Sequence, residues 1–341
     1  MTPPLDRAGL LRLAAGAAAV GAVPDGVRKA LDVNFPQPHP QWRFVFVNHA
    51  LTNPFFVPAK YGSDDAAAVL GASVLWTGSR SSDVGEMVKA MRLAIATKAD
   101  GIAVSIVDPE AFNGPTALAL ARGIPVVSYN ADGGKANARL AYFGQDNYQS
   151  GLELGARLVT LVQSGDVYLF VATPGQQNIQ PRVDGALDAI RDSGRPVKAH
   201  VVASGVDVGQ ELTRIEATYK ANPHLRGLFA VDAGSTAGVA HVMRKYKLHE
   251  RGVCAGGYDL LTPTLQAIHD RELDFTIDQQ PYLQGFLPVL QLFLYRYSSG
   301  LVAPADTNTG LNFVTRANVG RYLTTKSRFE GSSGKEQYPV A

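Results

Sequence analysis

Phe44-Val45-Phe46-Val47 is followed by His49 and then by Asn53-Pro54-Phe55-Phe56. The four apolar residues read as a strand buried on both faces. A helical pattern opens directly after them, at Ala59, Ala66, Ala67 and Leu70. Two aromatic and two polar side chains therefore sit at the carboxyl end of a first strand and the mouth of a first helix. In open α/β sheets that is where ligands bind. Aromatic faces beside hydrogen-bonding groups suit a ligand with polar edges and an apolar face, such as a sugar.

Outward from this unit, short apolar runs alternate with amphipathic stretches. Strands are expected at 44–48, 73–77, 101–106, 125–129, 140–143, 167–171, 197–202, 227–231, 252–258 and 275–278, with a late one at 312–315. Helical patterns cover 84–97, 151–162, 212–221 and 236–246. Strand–helix alternation at this spacing predicts right-handed βαβ units and parallel sheets. So many strands exceed one comfortable open sheet. The expected fold is therefore α/β, with two doubly wound parallel-sheet lobes. Gly144-Gln145-Asp146-Asn147 is a polar break where the first sheet is complete, and 303–310 is a polar stretch containing proline. Short crossings between two lobes produce such breaks. The expected division is 42–146 with 281–309 for the first lobe and 147–280 with 310–326 for the second. Residues 1–41 then form an export signal and linker, and 327–341 a C-terminal tail.

The chain has 341 residues, 46% of them hydrophobic, enough for two cores. Its 32 basic and 30 acidic residues leave a net charge of +2. No Lys/Arg block occurs, so nothing points to nucleic acid. Cys254 is the only cysteine, which excludes a disulfide framework and a cysteine metal cluster, and its apolar setting reads as an inert buried thiol. Near the start, Arg7 and Arg12 precede or enter a small-residue apolar stretch, 14–23, and Val20-Gly21-Ala22 fits a cleavage site. This is too short to span a bilayer and reads as a cleaved export signal. Residues 6–12 resemble a twin-arginine signal with Ala8 where the second Arg belongs.

Polar residues gather just beyond the apolar runs. His49 and Asn53 follow the first. Asn130 follows 125–129, and Gln176 and Asn178 follow 167–171 with Arg182 a turn later. Asp232, Asp259 and Gln279 follow 227–231, 252–258 and 275–278. Each has a plain structural reading: Asp232 and Asp259 as helix caps, Asn130 as a turn residue, Arg182 as solvated, His49 as structural, Phe55 or Phe56 as core. Their joint occurrence at six strand ends favours a site between two facing lobes.

Asn53-Pro54-Phe55-Phe56, Ile124-Pro125-Val126, Gly144-Gln145-Asp146-Asn147, Arg182-Val183-Asp184-Gly185, Gly257-Tyr258-Asp259 and the run from Asp278 to Gly285 occur in this order. In order and spacing they resemble the type I periplasmic sugar-binding proteins, the ribose/galactose-binding kind that serve ABC transporters. The resemblance covers about residues 43–325. It implies two lobes joined by three hinge strands that close on one sugar. It implies that Asn53 contacts and Phe55 stacks on the sugar, with Phe56 beside them and His49 at a contact position usually held by a small polar residue. Asn130 falls where Asp or Asn binds hydroxyls, and Arg182 where an arginine forks onto ring oxygens. Gln176 and Asn178 fall on a loop that lines several family sites. Asp232 falls where Asn is common, and Asp259 and Gln279 match the family's Asp and its Asn/Gln. Ala131 replaces an Arg of ribose-type members, and Val206 or a neighbour stands where a second-lobe aromatic is expected; both argue against strict ribose specificity.

The resemblance implies an exported, monomeric solute-binding protein. It would deliver a monosaccharide or polyol to the permease of an ABC transporter, with no cofactor and no metal. A sensor or chemoreceptor carrier on the same fold is the alternative. An enzyme comes third, because no nucleophile elbow, phosphate loop, dinucleotide fingerprint or HExxH occurs. A sugar-responsive repressor would need a helix-turn-helix where the small-residue apolar segment stands.

Overall fold

A computed structural model describes residues 38–301 and 305–324. The expected export signal, up to residue 37, and the expected tail, 327–341, lie outside the described residues. The first sheet contains β1 (Arg43–Asn48), β2 (Ser73–Gly78), β3 (Gly101–Val104), β4 (Val126–Tyr129), β5 (Tyr142–Gly144) and β11 (Asp306–Asn308), in the order β11-β5-β4-β3-β1-β2. The second contains β6 (Gly165–Val171), β7 (Val197–Ala203), β8 (Gly227–Ala230), β9 (Cys254–Tyr258), β10 (Phe275–Asp278) and β12 (Asn312–Thr315), in the order β12-β10-β9-β8-β6-β7. The two orders are the same apart from the edge strand each lobe receives last. The chain thus forms two α/β lobes with mostly parallel sheets.

Two edges depart from the sequence reading. β12 pairs antiparallel with β10. β11 has no apolar signal, since it reads Asp-Thr-Asn; it forms by pairing with β5 alone. The inner strands β3, β4 and β8 are wholly buried. That matches parallel strands covered on both faces.

Helices α1 (Val57–Leu70), α2 (Val84–Ala96), α3 (Pro109–Ala121), α4 (Asn147–Leu161), α5 (Gln180–Asp192), α6 (Val208–Ala221), α7 (Ala233–Lys245), α8 (Thr262–His269), α9 (Pro281–Ser298) and α10 (Val319–Thr324) cover the sheets. Asp83, Asp108, Asp146, Asp207 and Asp232 each accept a backbone N–H of the first turn of α2, α3, α4, α6 and α7. Such caps satisfy N–H groups that have no partner within the helix. The capped first turns of α4, α6 and α7 are small or polar, so the apolar period becomes visible a turn late. Each lobe also has one close helix crossing. A Cβ at Gly62 or Gly285 would lie 2.1 Å from Tyr282 O or 1.8 Å from Ala59 O, so α1 and α9 touch through backbone. Gly151 and Gly185 do the same for α4 and α5, at 2.3 Å from Arg182 O and from Tyr148 O.

The described chain passes between the sheets after β5, after β10 and after β11. These crossings are tied to one another. Gln145 Nε2 donates to Gly310 O at 2.9 Å, and Thr309 Oγ1 donates to Gln279 O at 2.8 Å. Cys254 is half-buried rather than buried, and burial beside Asp274 pushes its thiol up to about 11. It is therefore a thiol, not a reactive thiolate, near neutral pH.

Candidate functional site

The carboxyl ends of β1, β4, β6, β8, β9 and β10 converge where the lobes face each other. β1 delivers His49. After it, Asn53 starts a short 3-10 turn over Pro54–Phe56: its Oδ1 accepts the Phe55 N–H at 3.0 Å, and Pro54 supplies a preset φ. The turn fixes two rings edge to face, Phe55 on Phe56 at 4.8 Å and Phe56 on His49 at 5.2 Å. Phe56 is 1% exposed and Phe55 8%.

His49 is neutral, because burial holds its pKa down at about 4. Its Nε2 faces Asn178 Nδ2 at 3.3 Å, which can only donate, so Nδ1–H is assigned as donor to Ser105 Oγ at 2.9 Å. The first of these bonds joins the two lobes. So do Gln177 N–H to Val107 O at 3.1 Å and Gln176 Nε2 to Ser82 O at 3.4 Å. The structure is thus drawn shut across the cleft.

The second lobe brings Asn178, Ile179, Arg182, Asp232, Ala233, Asp259 and Gln279. These line one small cavity together with His49, Asn53, Phe55, Phe56 and Asn130. Arg182 is 2% exposed. Its Nε donates to Asn147 Oδ1 and its Nη1 to Val231 O, both at 3.0 Å, and its guanidinium lies 4.2 Å from the Tyr258 ring centre. Its Nη2 is buried without a protein partner, as is Asn178 Oδ1. Buried polar groups rarely stay unpaired unless something else pairs them. Asn130 and Asp259 have φ of 63° and 73°. Such left-handed backbone is tolerated by Asn and Asp and is concentrated at ligand sites.

Asp259 is buried, and burial pushes its carboxyl up to about 7 against the opposing pull of the Arg182 charge and a 2.8 Å bond from Gln279 Nε2. Asp232 does cap α7: its carboxylate accepts Ser235 N–H at 2.8 Å and Ala172 N–H at 3.0 Å while still lining the cavity. The cap and site readings hold together.

The structure departs from the sequence reading at Gln176. That side chain does not line the cavity; its Oε1 accepts from Thr173 Oγ1 at 2.9 Å and its amide reaches Ser82. Val206 is 47% exposed, so the apolar wall of the second lobe is Ile179 and Ala233 instead. Sequence reasoning missed three supporting residues. Gln284 accepts from Asn130 Nδ2 at 3.1 Å and donates to Gln279 Oε1 at 3.1 Å, joining site amides of both lobes. Asn147 and Tyr258 hold Arg182. All three stood inside motifs quoted for their order, and only their neighbours were assigned contacts. A wider, more open groove of about 460 Å³ lies on the other side of Asn147 and Gln177. Its Asp132 and Asp306 both pair with Arg139, at 2.7 and 2.8 Å.

The sequence profile of the periplasmic binding protein domain matches residues 44–295. The chain belongs to the periplasmic binding protein family. This bears out the resemblance read from the ordered motifs. The family consists of substrate-binding proteins rather than enzymes. This binding protein is 48% identical over 309 residues to the xylose/arabinose-binding protein XylF of Sulfolobus acidocaldarius, covering 86% of its own chain and 76% of the relative. It is 25% identical over 247 residues to the ribose import binding protein RbsB of Haemophilus influenzae, covering 70% and 80%. Among solved structures, a carbohydrate transporter protein of Acidothermus cellulolyticus in complex with myo-inositol superposes with a TM-score of 0.75 at 26% identity, covering 86% of this chain and all of that one. An ABC transporter solute-binding protein of Burkholderia graminis in complex with D-arabinose gives 0.77 at 24%, covering 83% and 98%. Among the described residues no helix is long and apolar enough to cross a membrane, and no cluster of His, Cys, Asp and Glu could hold a metal ion.

Proposed function

We propose that this periplasmic binding protein captures one monosaccharide, of the pentose class, in the interlobe cavity and hands it unchanged to the permease of an ABC transporter. The observation that carries the reading is the pair of buried, unpartnered atoms on the cavity wall. Arg182 Nη2 is a donor and Asn178 Oδ1 an acceptor. A sugar's neighbouring hydroxyls supply both partners at once. The relative named for xylose and arabinose supports a pentose.

In this reading Asn53, Asn130, Asn178, Arg182, Asp259 and Gln279 bond hydroxyls, with Asp232 adding an acceptor. Phe55 and Phe56 cover the C–H face from one side, Ile179 and Ala233 from the other, and neutral His49 closes the rim. Residues 42–146 with 281–309 are assigned to the first lobe, and 147–280 with 310–326 to the second. The lobes swing apart about the three crossings to admit the sugar. The chain acts as an exported monomer whose first residues are removed, which mass analysis of the N-terminus from native cells checks; an intact Met1 contradicts export. Isothermal titration with pentoses, hexoses and polyols tests the binding reading. A micromolar or lower Kd for a pentose, about −8 kcal/mol or better, is expected. Binding of a non-carbohydrate alone refutes it.

A further inference from the structure

Directly behind the cavity wall lies a carboxyl that the site description does not use. Glu211, on α6, is 3% exposed. Its carboxyl occupies the slot left open by Gly234 in the first turn of α7, where a Cβ would lie 2.0 Å from Glu211 Oε2. There it sits beside Asp232, and both carboxyls lie within reach of the same Ser235 hydroxyl. Ser235 Oγ stands 3.4 Å from Glu211 Oε1, 2.9 Å from Asp232 Oδ2 and 2.7 Å from Ser204 Oγ. That serine has one hydroxyl proton for these acceptors, so it cannot by itself pair both acids.

Among the described residues no Lys, Arg or His pairs with either carboxyl. On α6 the nearby acid is Asp207, whose Oδ1 is turned to the Gly209 and Gln210 N–H groups. On α7 it is Asp232 itself, and the loop after β6 contributes only the Ala172 N–H. Across the cavity Asp259 is a further acid, and the Arg182 guanidinium is committed to Asn147, Val231 and the Tyr258 face. Two carboxyls crowded around one hydroxyl with no cation beside them do not both ionise; they share a proton. Asp232 already accepts two backbone N–H groups, which favour its anion, whereas Glu211 has only the shared hydroxyl. The proton therefore belongs on Glu211.

We propose that Glu211 is a positioning residue of the sugar site: it stays protonated, donates to Asp232, and so holds Asp232 as an anionic acceptor on the cavity wall. This rests on the sugar-cavity reading above. Burial and the Asp232 charge agree with it, raising Glu211 to about 9. The sign follows from that. Below this value the acid is neutral and the donation intact; above it two like charges abut, and Asp232 and the start of α7 are pushed apart. Sugar affinity is therefore held through neutral pH and lost on the alkaline side.

The test is titration of L-arabinose and D-xylose into wild type, Glu211→Ala and Glu211→Gln, near neutral pH and at about pH 10. Loss of the donor in the Ala variant should weaken neutral binding by about tenfold. The Gln variant, whose amide N–H donates without titrating, should recover most of that and abolish the alkaline loss seen in wild type. Infrared spectra of the sugar-free proteins near neutral pH provide a second readout. Wild type should have a protonated-carboxyl C=O band that the Gln variant lacks. Identical pH profiles for wild type and the Gln variant, or the absence of a band that the Gln substitution removes, overturns the proposal. If neither pentose binds wild type, the sugar reading fails, while the infrared band still decides the protonation of Glu211.

Discussion

Replacing Arg182 by lysine separates a ligand-binding arginine from a structural one. The native guanidinium makes two hydrogen bonds to protein and lies over Tyr258, which leaves Nη2 for the sugar. Lysine keeps the charge but has one nitrogen on a flexible stem, so it cannot reach Asn147, Val231 and a sugar oxygen together. One charge-assisted hydrogen bond to the ligand is then lost, worth about 1.5–3 kcal/mol. At 1.4 kcal/mol per decade that weakens binding about 10- to 150-fold. The unliganded fold should lose about 1–3 kcal/mol for an acceptor left unpaired. Isothermal titration with a pentose reads the first effect and urea unfolding of sugar-free protein the second. A drop in stability with affinity unchanged refutes the reasoning, because Nη2 would then have no sugar to hold.

Other side chains give independent checks. Asp259, raised to about 7 from an ordinary 3.8, holds its proton in the folded state where the unfolded chain has lost it. The unliganded protein should therefore lose stability as pH rises from about 4 to 7, by at most about 4 kcal/mol, and Asp259→Asn should remove that slope; equal slopes in urea unfolding contradict this. Phe55→Ala should weaken sugar binding more than folding, whereas Phe56→Ala, at a ring packed among His49, Trp76 and Tyr129, should cost about 3–5 kcal/mol of stability; the reverse order in paired unfolding and titration experiments counts against the assigned faces. Gln284→Leu should leave Asn130 Nδ2 and Gln279 Oε1 without these partners, lowering stability by about 1–3 kcal/mol and loosening binding; a variant unchanged by both assays removes the bridging role.

Buried parallel strands are legible because their apolar runs have no alternation to confuse, as at Phe44–Val47 and in β8. What escaped had a different physical origin. β11 exists only through its partner β5, and no local property of Asp-Thr-Asn encodes that. The early starts of α4, α6 and α7 are marked by Asp146, Asp207 and Asp232 rather than by any apolar period. At the site, the rule that polar residues beyond strand ends point into the cleft placed eight of the nine expected polar residues on one cavity, with Phe55 and Phe56 beside them. It failed at Gln176, where neighbours on its own loop and the facing lobe capture the amide. Gln284 was invisible as a contact for the opposite reason. A glutamine within a helix reads as solvated, and only the tertiary fold buries it between two site amides. Glu211 likewise resembles an ordinary surface acid until the Gly234 slot on the neighbouring helix is known.

A crystal structure of the protein saturated with L-arabinose or D-xylose tests the central claim most directly. The account predicts one sugar ring between Phe55/Phe56 and Ile179/Ala233, with its oxygens within hydrogen-bond distance of Arg182 Nη2 and Asn178 Oδ1. A pentose bound elsewhere on the molecule, or a cavity left without sugar at saturating concentration, would contradict it.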